Sequence, residues 1–399
     1  MLTSLLLALA AQNPPPQGIV VVKGDTKLTL GAELRFRTET RDPSPPITGA
    51  DSNTGSNGRF RIGLDAALNA NVRGFLQLQE SILVDGTASS DSLHQAFGEL
   101  KGVGDLVDVQ VGRFEMIYGD ELLVGNGDWG PTGKSFDGLR LHNMGKSYWV
   151  DVFVTQPVEG QAVLVGVDQA FGGVYAGVPG DGWSAEGYAL SRNTRADGGL
   201  GDADLTVGGR FKIAMDNGLA FKAEAAQQSG DHAGGLDAGG TMFMADVGAP
   251  IGDSFNVGAN LLYASGDNDP ADGDDDAFKT LYNSPHKILG YQDLIGLSNV
   301  MDAQFYAGYK VNDQWKLTGA LHWLQLAEDN GVLPVLAAGA GMVGAVGESD
   351  LGAEIDVTLR GTVMEDVDLY FGVSQFMSGD AVANGDDQLW AFAQMILRI

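Results

Sequence analysis

From Lys27 to its last residue the chain is written in a two-residue period. Leu28, Leu30, Ala32, Leu34 and Phe36 alternate with Thr29, Gly31, Glu33, Arg35 and Arg37, so one face is oily and the other polar or charged. Phe60, Ile62, Leu64 and Ala66 stand in the same way against Arg59, Arg61, Gly63 and Asp65. The pattern returns at Leu205, Val207, Phe211 and Ile213 against Thr206, Arg210 and Lys212, and at Leu351 to Leu359 against Glu354, Asp356, Thr358 and Arg360. About eighteen segments read this way, each near the 9 to 11 residues that cross a bilayer when tilted. No run approaches the roughly 20 apolar residues of a membrane helix, so any crossing must be made by strands.

The connections carry a second period. Ala70-Asn71, Asn143 to Lys146, Pro179 to Gly182, Asp216 to Gly218 and Val311 to Asp313 are short, whereas Arg41 to Asn57, Glu115 to Ser135, Gly266 to Asn299 and Ala327 to Gly347 are long, and the two kinds alternate. A sandwich or propeller has no need of that asymmetry. An outer-membrane barrel has short periplasmic turns and long extracellular loops. The sequence predicts an all-β fold over 27–399: a single transmembrane antiparallel β-barrel of about 18 strands, closed by its first and last strands because an open edge is too costly in hydrocarbon. The last strand places Leu389, Ala391, Ala393, Met395, Leu397 and Ile399 on one face. It ends in Ile399 where such barrels usually end in an aromatic residue that the barrel-assembly machinery reads. Trp149, Trp183, Tyr263, Trp315, Trp323 and Trp390 near strand ends are candidates for interfacial girdles.

Leu2 to Leu9 followed by Ala8-Leu9-Ala10 reads as a secretory leader over residues 1–11, and the Pro14-Pro15-Pro16 stretch within 12–26 as a linker. The expected address is the outer membrane of a diderm bacterium, with lipid as the surrounding partner. The absence of cysteine removes disulfides, metal thiolates and Cys nucleophiles together.

The formal net charge of -28 is unevenly distributed. Acids crowd the long connections, above all Ser265 to Ala277, while bases recur on the polar strand faces. By parity the lumen receives Arg35, Arg37, Arg59, Arg61, Arg140, Arg210, Lys212, Lys222, Lys310, Lys316, Arg360 and Arg398, with Glu33, Asp65, Asp151, Glu186, Glu224, Glu354 and Asp356 among them. Guanidinium and ammonium groups in a narrow, low-dielectric passage attract carboxylates and repel cations, and arginine adds a bidentate fork. Taken singly, each of these residues fits a lumen salt-bridge lattice equally well. Arg35/Arg37 and Arg59/Arg61 stand out, since no acid cluster in those two strands cancels them. The expected partners are an anionic oligo- or polysaccharide or small anions, not nucleic acid.

Gly112-Arg113, Tyr118-Gly119-Asp120, Trp129 and Gly133-Lys134-Ser135-Phe136-Asp137-Gly138-Leu139-Arg140 resemble the signature of the alginate-export family of outer-membrane barrels. Leu281-Tyr282, His286-Lys287 and Gly290-Tyr291-Gln292-Asp293-Leu294 resemble its second recurrent block. The resemblance implies a passive channel for a polyuronate, lined by arginine and lysine and partly closed by loops. Arg113, Asp120, Lys134, Asp137, Arg140, His286 and Lys287 match family positions, Lys134 standing where the family often has arginine. Asp120 and Asp137 are expected to pair with Arg113 or Arg140 and fold the loop into the mouth.

Three further readings remain. Asp267, Asp269, Asp272, Asp274 and Asp276 have oxygen-rich spacing compatible with calcium, though without the EF-hand order. Gly252-Asp253-Ser254-Phe255 is superficially a hydrolase motif, yet it falls where a tight turn is required and no Gly-x-Ser-x-Gly elbow exists. A general porin passing solutes by size shares the fold and the mixed lumen, and a monomer is expected because no flat trimer face is evident.

Overall fold

The computed structural model describes residues 18–42, 53–83, 88–89, 93–157, 167–196, 201–232, 235–269, 271–284, 286, 288–330, 332, 345–382 and 385–399. Eighteen antiparallel strands close into one barrel, and no α-helix occurs among the described residues. The first barrel strand, Thr26–Asp42, pairs with the last, Gln388–Arg398, from Glu33 opposite Arg398 to Asp42 opposite Leu389. That seam leaves no long edge unpaired, as hydrocarbon requires.

The outward face is apolar as the alternation demands. Leu30, Leu34, Phe36, Phe60 and Leu64 are exposed, while Arg35, Arg37, Arg59 and Arg61 between them are buried inside. Short turns gather at one end, including 180–182, 252–254 and 311–314, and the long connections that follow the strands Val107–Phe114, Phe255–Ala264 and Trp315–Gln325 leave from the other. Gly252-Asp253-Ser254 is one of these tight turns, with Gly252 at φ 62°. The leader and prolines at 1–17 fall outside the described residues. Ile19–Lys23, within the stretch read as linker, is a short strand paired with Thr26–Leu30.

The strand Val107–Phe114 runs unbroken through Gly112. Gly112 adopts φ 127°, and a Cβ there would meet the Ala96 carbonyl oxygen at 2.2 Å, so the position needs glycine without ending the ladder. Trp149 and Trp390 are not girdle residues. Both are buried in the lumen, because Trp149 shares the inward parity of Asp151 and Trp390 the parity opposite to Leu389. Trp183 and Trp323 are exposed on the outer face.

Candidate functional site

The lumen is filled by its own loops. Residues 115–135 leave the strand Val107–Phe114, descend inside, and return at Phe136–Met144. Met116, Leu122, Leu123 and Val124 of this loop are buried against Phe278, Leu281 and Tyr282 of the loop 265–299. Tyr282 and Leu123 bond through their backbones, as do Gly125 and Tyr282 and Ser284 and Glu121, so the loops form one plug. Phe136 and Phe171 face inward to meet Tyr282, and Phe153 packs on Phe171, giving that side an apolar lining. Burying each such side chain contributes about 1.5–3 kcal/mol.

A basic wall grips one side of the plug. Arg35 stands opposite Arg59 in the ladder between Thr26–Asp42 and Asn53–Ala67. Like charges so placed repel unless an acceptor intervenes. The loop supplies several. Arg35 donates to the carbonyls of Asp128 and Gly130 at 2.5 and 2.6 Å, and Arg37 to that of Trp129 at 2.9 Å. The Asp128 carboxylate lies 2.8 Å from Arg59 and 2.9 Å from Arg61. Burial alone would raise the Asp128 pKa, but Arg59, Arg61 and Arg35 hold it far below the usual carboxylate range. Glu115 completes this wall, 2.6 Å from His94 and 3.7 Å from Arg61. Above it the Trp129 ring stacks on His286 at 3.7 Å, with the Arg37 guanidinium over the same ring at 4.1 Å. The four arginines therefore hold a loop rather than line an open passage. Contrary to the expectation that no acid of their own strands balances them, Glu33 of Thr26–Asp42 lies 2.8 Å from Arg59 and Glu39 3.7 Å from Arg37, beside Asp128 and Glu115 from outside those strands.

A second basic cluster holds the tip of the same loop. Asp120 lies 2.6 Å from Arg210, 3.0 Å from Lys212 and 3.2 Å from Lys222. The expected pairing of Asp120 with Arg113 or Arg140 does not occur: the loop carries it across the lumen to partners 92 and 102 residues distant at the two lysines. Asp137 does pair with Arg113, through two bonds of 2.8 Å. Both side chains, however, lie on the outer face, Arg113 sharing the parity of exposed Val111, so this pair belongs to no constriction. Arg140 faces inward, 3.9 Å from Asp151. Buried Lys134 donates to the Asn283 carbonyl, and burial pushes its pKa down to about 8.

The neighbouring wall, whose strand Asp350–Met364 lies three strands from Thr26–Asp42 around the closed sheet, is acidic. Gln292 donates its backbone N–H to Glu354 at 3.0 Å and its side-chain amide to Ser374 and the Gln388 carbonyl. Gly290, at φ 96°, lies so near that a Cβ would stand 2.6 Å from the Glu354 carboxylate, which accounts for the glycine beginning that block. His322 bonds Asp302 at 2.8 Å and stands 3.7 Å from Asp356. His286 bonds Asp293, and burial lowers its pKa.

Lys310, Lys316 and Arg360 lie at the short-turn end, where Lys310 pairs with Asp313 and Arg360 with Asp368 at 3.6 Å. Lys287 falls outside the described residues. In the acidic loop, Asp267, Asp269 and Asp272 accept bonds from the backbone N–H groups of Asp269, Ala271 and Asp274, and Asp276 lies beside Gly239. Among the described residues no three acidic or histidine side chains converge to hold a metal ion.

Each of the five histidines bonds an acid: His94 with Glu115, His142 with Asp151, His232 with Asp204 and Asp275, His286 with Asp293, and His322 with Asp302. Sequence reasoning missed these pairs and the roles of Asp128 and Glu115. The legible signal was the inward arginine pair itself, which needs an acid from somewhere.

A model described as alginate export matches residues 26–394. The chain belongs to the alginate-export family. No curated protein sequence matches it. Solved structures that it resembles include three from Pseudomonas aeruginosa. OccK8 (OprE) has a TM-score of 0.66 at 10% identity, covering 93% of this chain and 98% of that one. OccK5 (OpdH) has 0.65 at 14% identity, with the same coverage. The outer membrane protein OprD has 0.64 at 12% identity, covering 96% and 95%. At such identities the likeness carries the fold alone. This alginate-export protein is an outer-membrane channel of a Gram-negative bacterium.

Proposed function

We propose that this channel passes an anionic substrate, an acidic polysaccharide or a smaller carboxylate-bearing solute. One observation carries the reading: Arg59 and Arg61 bind the Asp128 carboxylate, and Arg210, Lys212 and Lys222 bind that of Asp120. Groups that satisfy the lumen's cations from a loop can be replaced by groups of the same kind on a substrate. A pore that sorted only by size has no need of two such clusters.

The reversal potential of the reconstituted channel in a salt gradient tests this. Anion preference is expected in the wild type, and its loss or inversion in Lys212→Glu/Lys222→Glu. Cation preference, or none, in the wild type makes the protein a general diffusion pore.

A further inference from the structure

We propose that Arg210, Lys212 and Lys222 form a carboxylate-binding subsite on the periplasmic side of the plug, occupied by the loop's own Asp120 until an incoming carboxylate takes its place. This rests on the anionic-substrate reading and adds how such a substrate opens its own path.

The subsite is built by the two strands Ala203–Ala214 and Ala220–His232, joined by the short turn 215–219. Lys212 and Lys222 stand directly opposite each other next to that turn, on inward parity, with Arg210 opposite Glu224 two residues further in. Two ammonium groups so placed require an anion between them. The acids of the wall are otherwise engaged. Glu186 lies 3.0 Å from Arg210 and accepts from Tyr175. Glu224 accepts from Tyr188, and Asp246 stands 3.7 Å from Lys222 and accepts from Tyr306. The nearest carboxylate to both ammonium groups is that of Asp120.

Asp120 arrives at the tip of a tight turn. Glu121 N–H donates to the Tyr118 carbonyl, Gly119 has φ 60°, and Tyr118 stacks on Tyr175 at 4.4 Å. Trp149 and Tyr188 extend that stack at 5.5 and 5.2 Å. The guest is thus a carboxylate presented at the head of a turn that the wall's aromatic rings hold in place. It is also reachable, since the Asp120 side chain is 31% exposed and the two lysines 33% and 32%. The three cations hold its pKa well below the usual range against the effect of burial, so it stays ionised and competes at any physiological pH.

An internal competitor lowers the apparent affinity of a ligand by the fraction of time the site is free. Titration calorimetry on the purified full chain in detergent, with trigalacturonate as probe and maltotriose as neutral control, measures this. Asp120→Asn should bind trigalacturonate about tenfold or more tightly than wild type, and Asp120→Asn/Lys212→Gln/Lys222→Gln should lose the gain. Heat-modifiable electrophoretic mobility checks that each variant remains a folded barrel, and wild type against Lys212→Gln/Lys222→Gln gives the same comparison without touching the loop, with weaker binding in the double variant. Unchanged or weaker binding in Asp120→Asn, or no binding by any form, overturns the subsite. If the wild type is nevertheless anion-selective in bilayers, the subsite alone fails and the channel reading stands.

Discussion

The plug is held by two neighbouring stretches of wall that carry opposite charge. On the basic wall, Arg35, Arg37, Arg59 and Arg61 take three consecutive carbonyls and the carboxylate of the 115–135 loop. On the acidic wall, Glu354 takes one backbone N–H of the 265–299 loop, and Ser374 and the Gln388 carbonyl take the Gln292 amide. The first grip is made of charge-assisted bonds, each roughly twice as strong as a neutral one, and the second is mostly neutral. The loop that carries the acids is therefore the more firmly seated, and an anion competes with it more directly than with its neighbour.

Breaking the stronger grip should have the largest effect. Asp128→Ala removes the carboxylate that Arg59 and Arg61 share; because that carboxylate is half exposed and Arg59 keeps Glu33 and Arg61 keeps Glu115, the loss is about 1–3 kcal/mol. Single-channel conductance is expected to rise several-fold as the 115–135 loop leaves the wall. An unchanged conductance would mean that the apolar contacts of Leu122 and Leu123 hold the loop without the arginines, and would erase the contrast.

Gln292→Ala removes two bonds to the acidic wall and keeps the backbone N–H to Glu354, a cost of about 1–3 kcal/mol. The expected result is a smaller rise in conductance than in Asp128→Ala, with more frequent brief openings. A larger rise reverses the order of the two walls.

The smallest effect is a slope. The Lys134 ammonium is buried in the plug, and its pKa falls from 10.5 to about 8 through burial. For a base the sign is as follows: between pH 8 and 10.5 the unfolded chain binds more protons than the folded one. The penalty for burying the charge is complete below about pH 8, declines as pH rises, and is gone above pH 10.5. Circular-dichroism melts of wild type and Lys134→Met across that range should converge or cross as pH rises, and parallel curves would place Lys134 in water.

Much of the barrel was legible because a strand's two faces follow from backbone geometry alone. Arg35 and Leu34 must point to opposite sides in any strand that contains both, and the alternation of short and long connections gives the two ends of the barrel. The same rule, applied evenly, would have placed Trp149 and Trp390 inside. The plug was legible only in part. The motifs around Tyr118-Gly119-Asp120 and Gly290-Tyr291-Gln292 marked the right loops, but not where their side chains end. Asp137 met its expected partner because Arg113 lies opposite it in the ladder, whereas Asp120 did not, because its loop crosses the lumen to strands far along the chain.

The sequence by itself determined the period, the strand faces, the closed barrel and the inward placing of the arginines, since each depends on residues adjacent in sequence or directly paired across strands. Tertiary structure decided that two loops fold inward onto an aromatic lining, that each histidine meets an acid, and that Asp120 and Asp128 each gather a cluster of the lumen's cations. Those outcomes depend on which distant groups share one enclosed volume, where an unpaired buried charge costs several kcal/mol and so selects its partner regardless of separation in sequence.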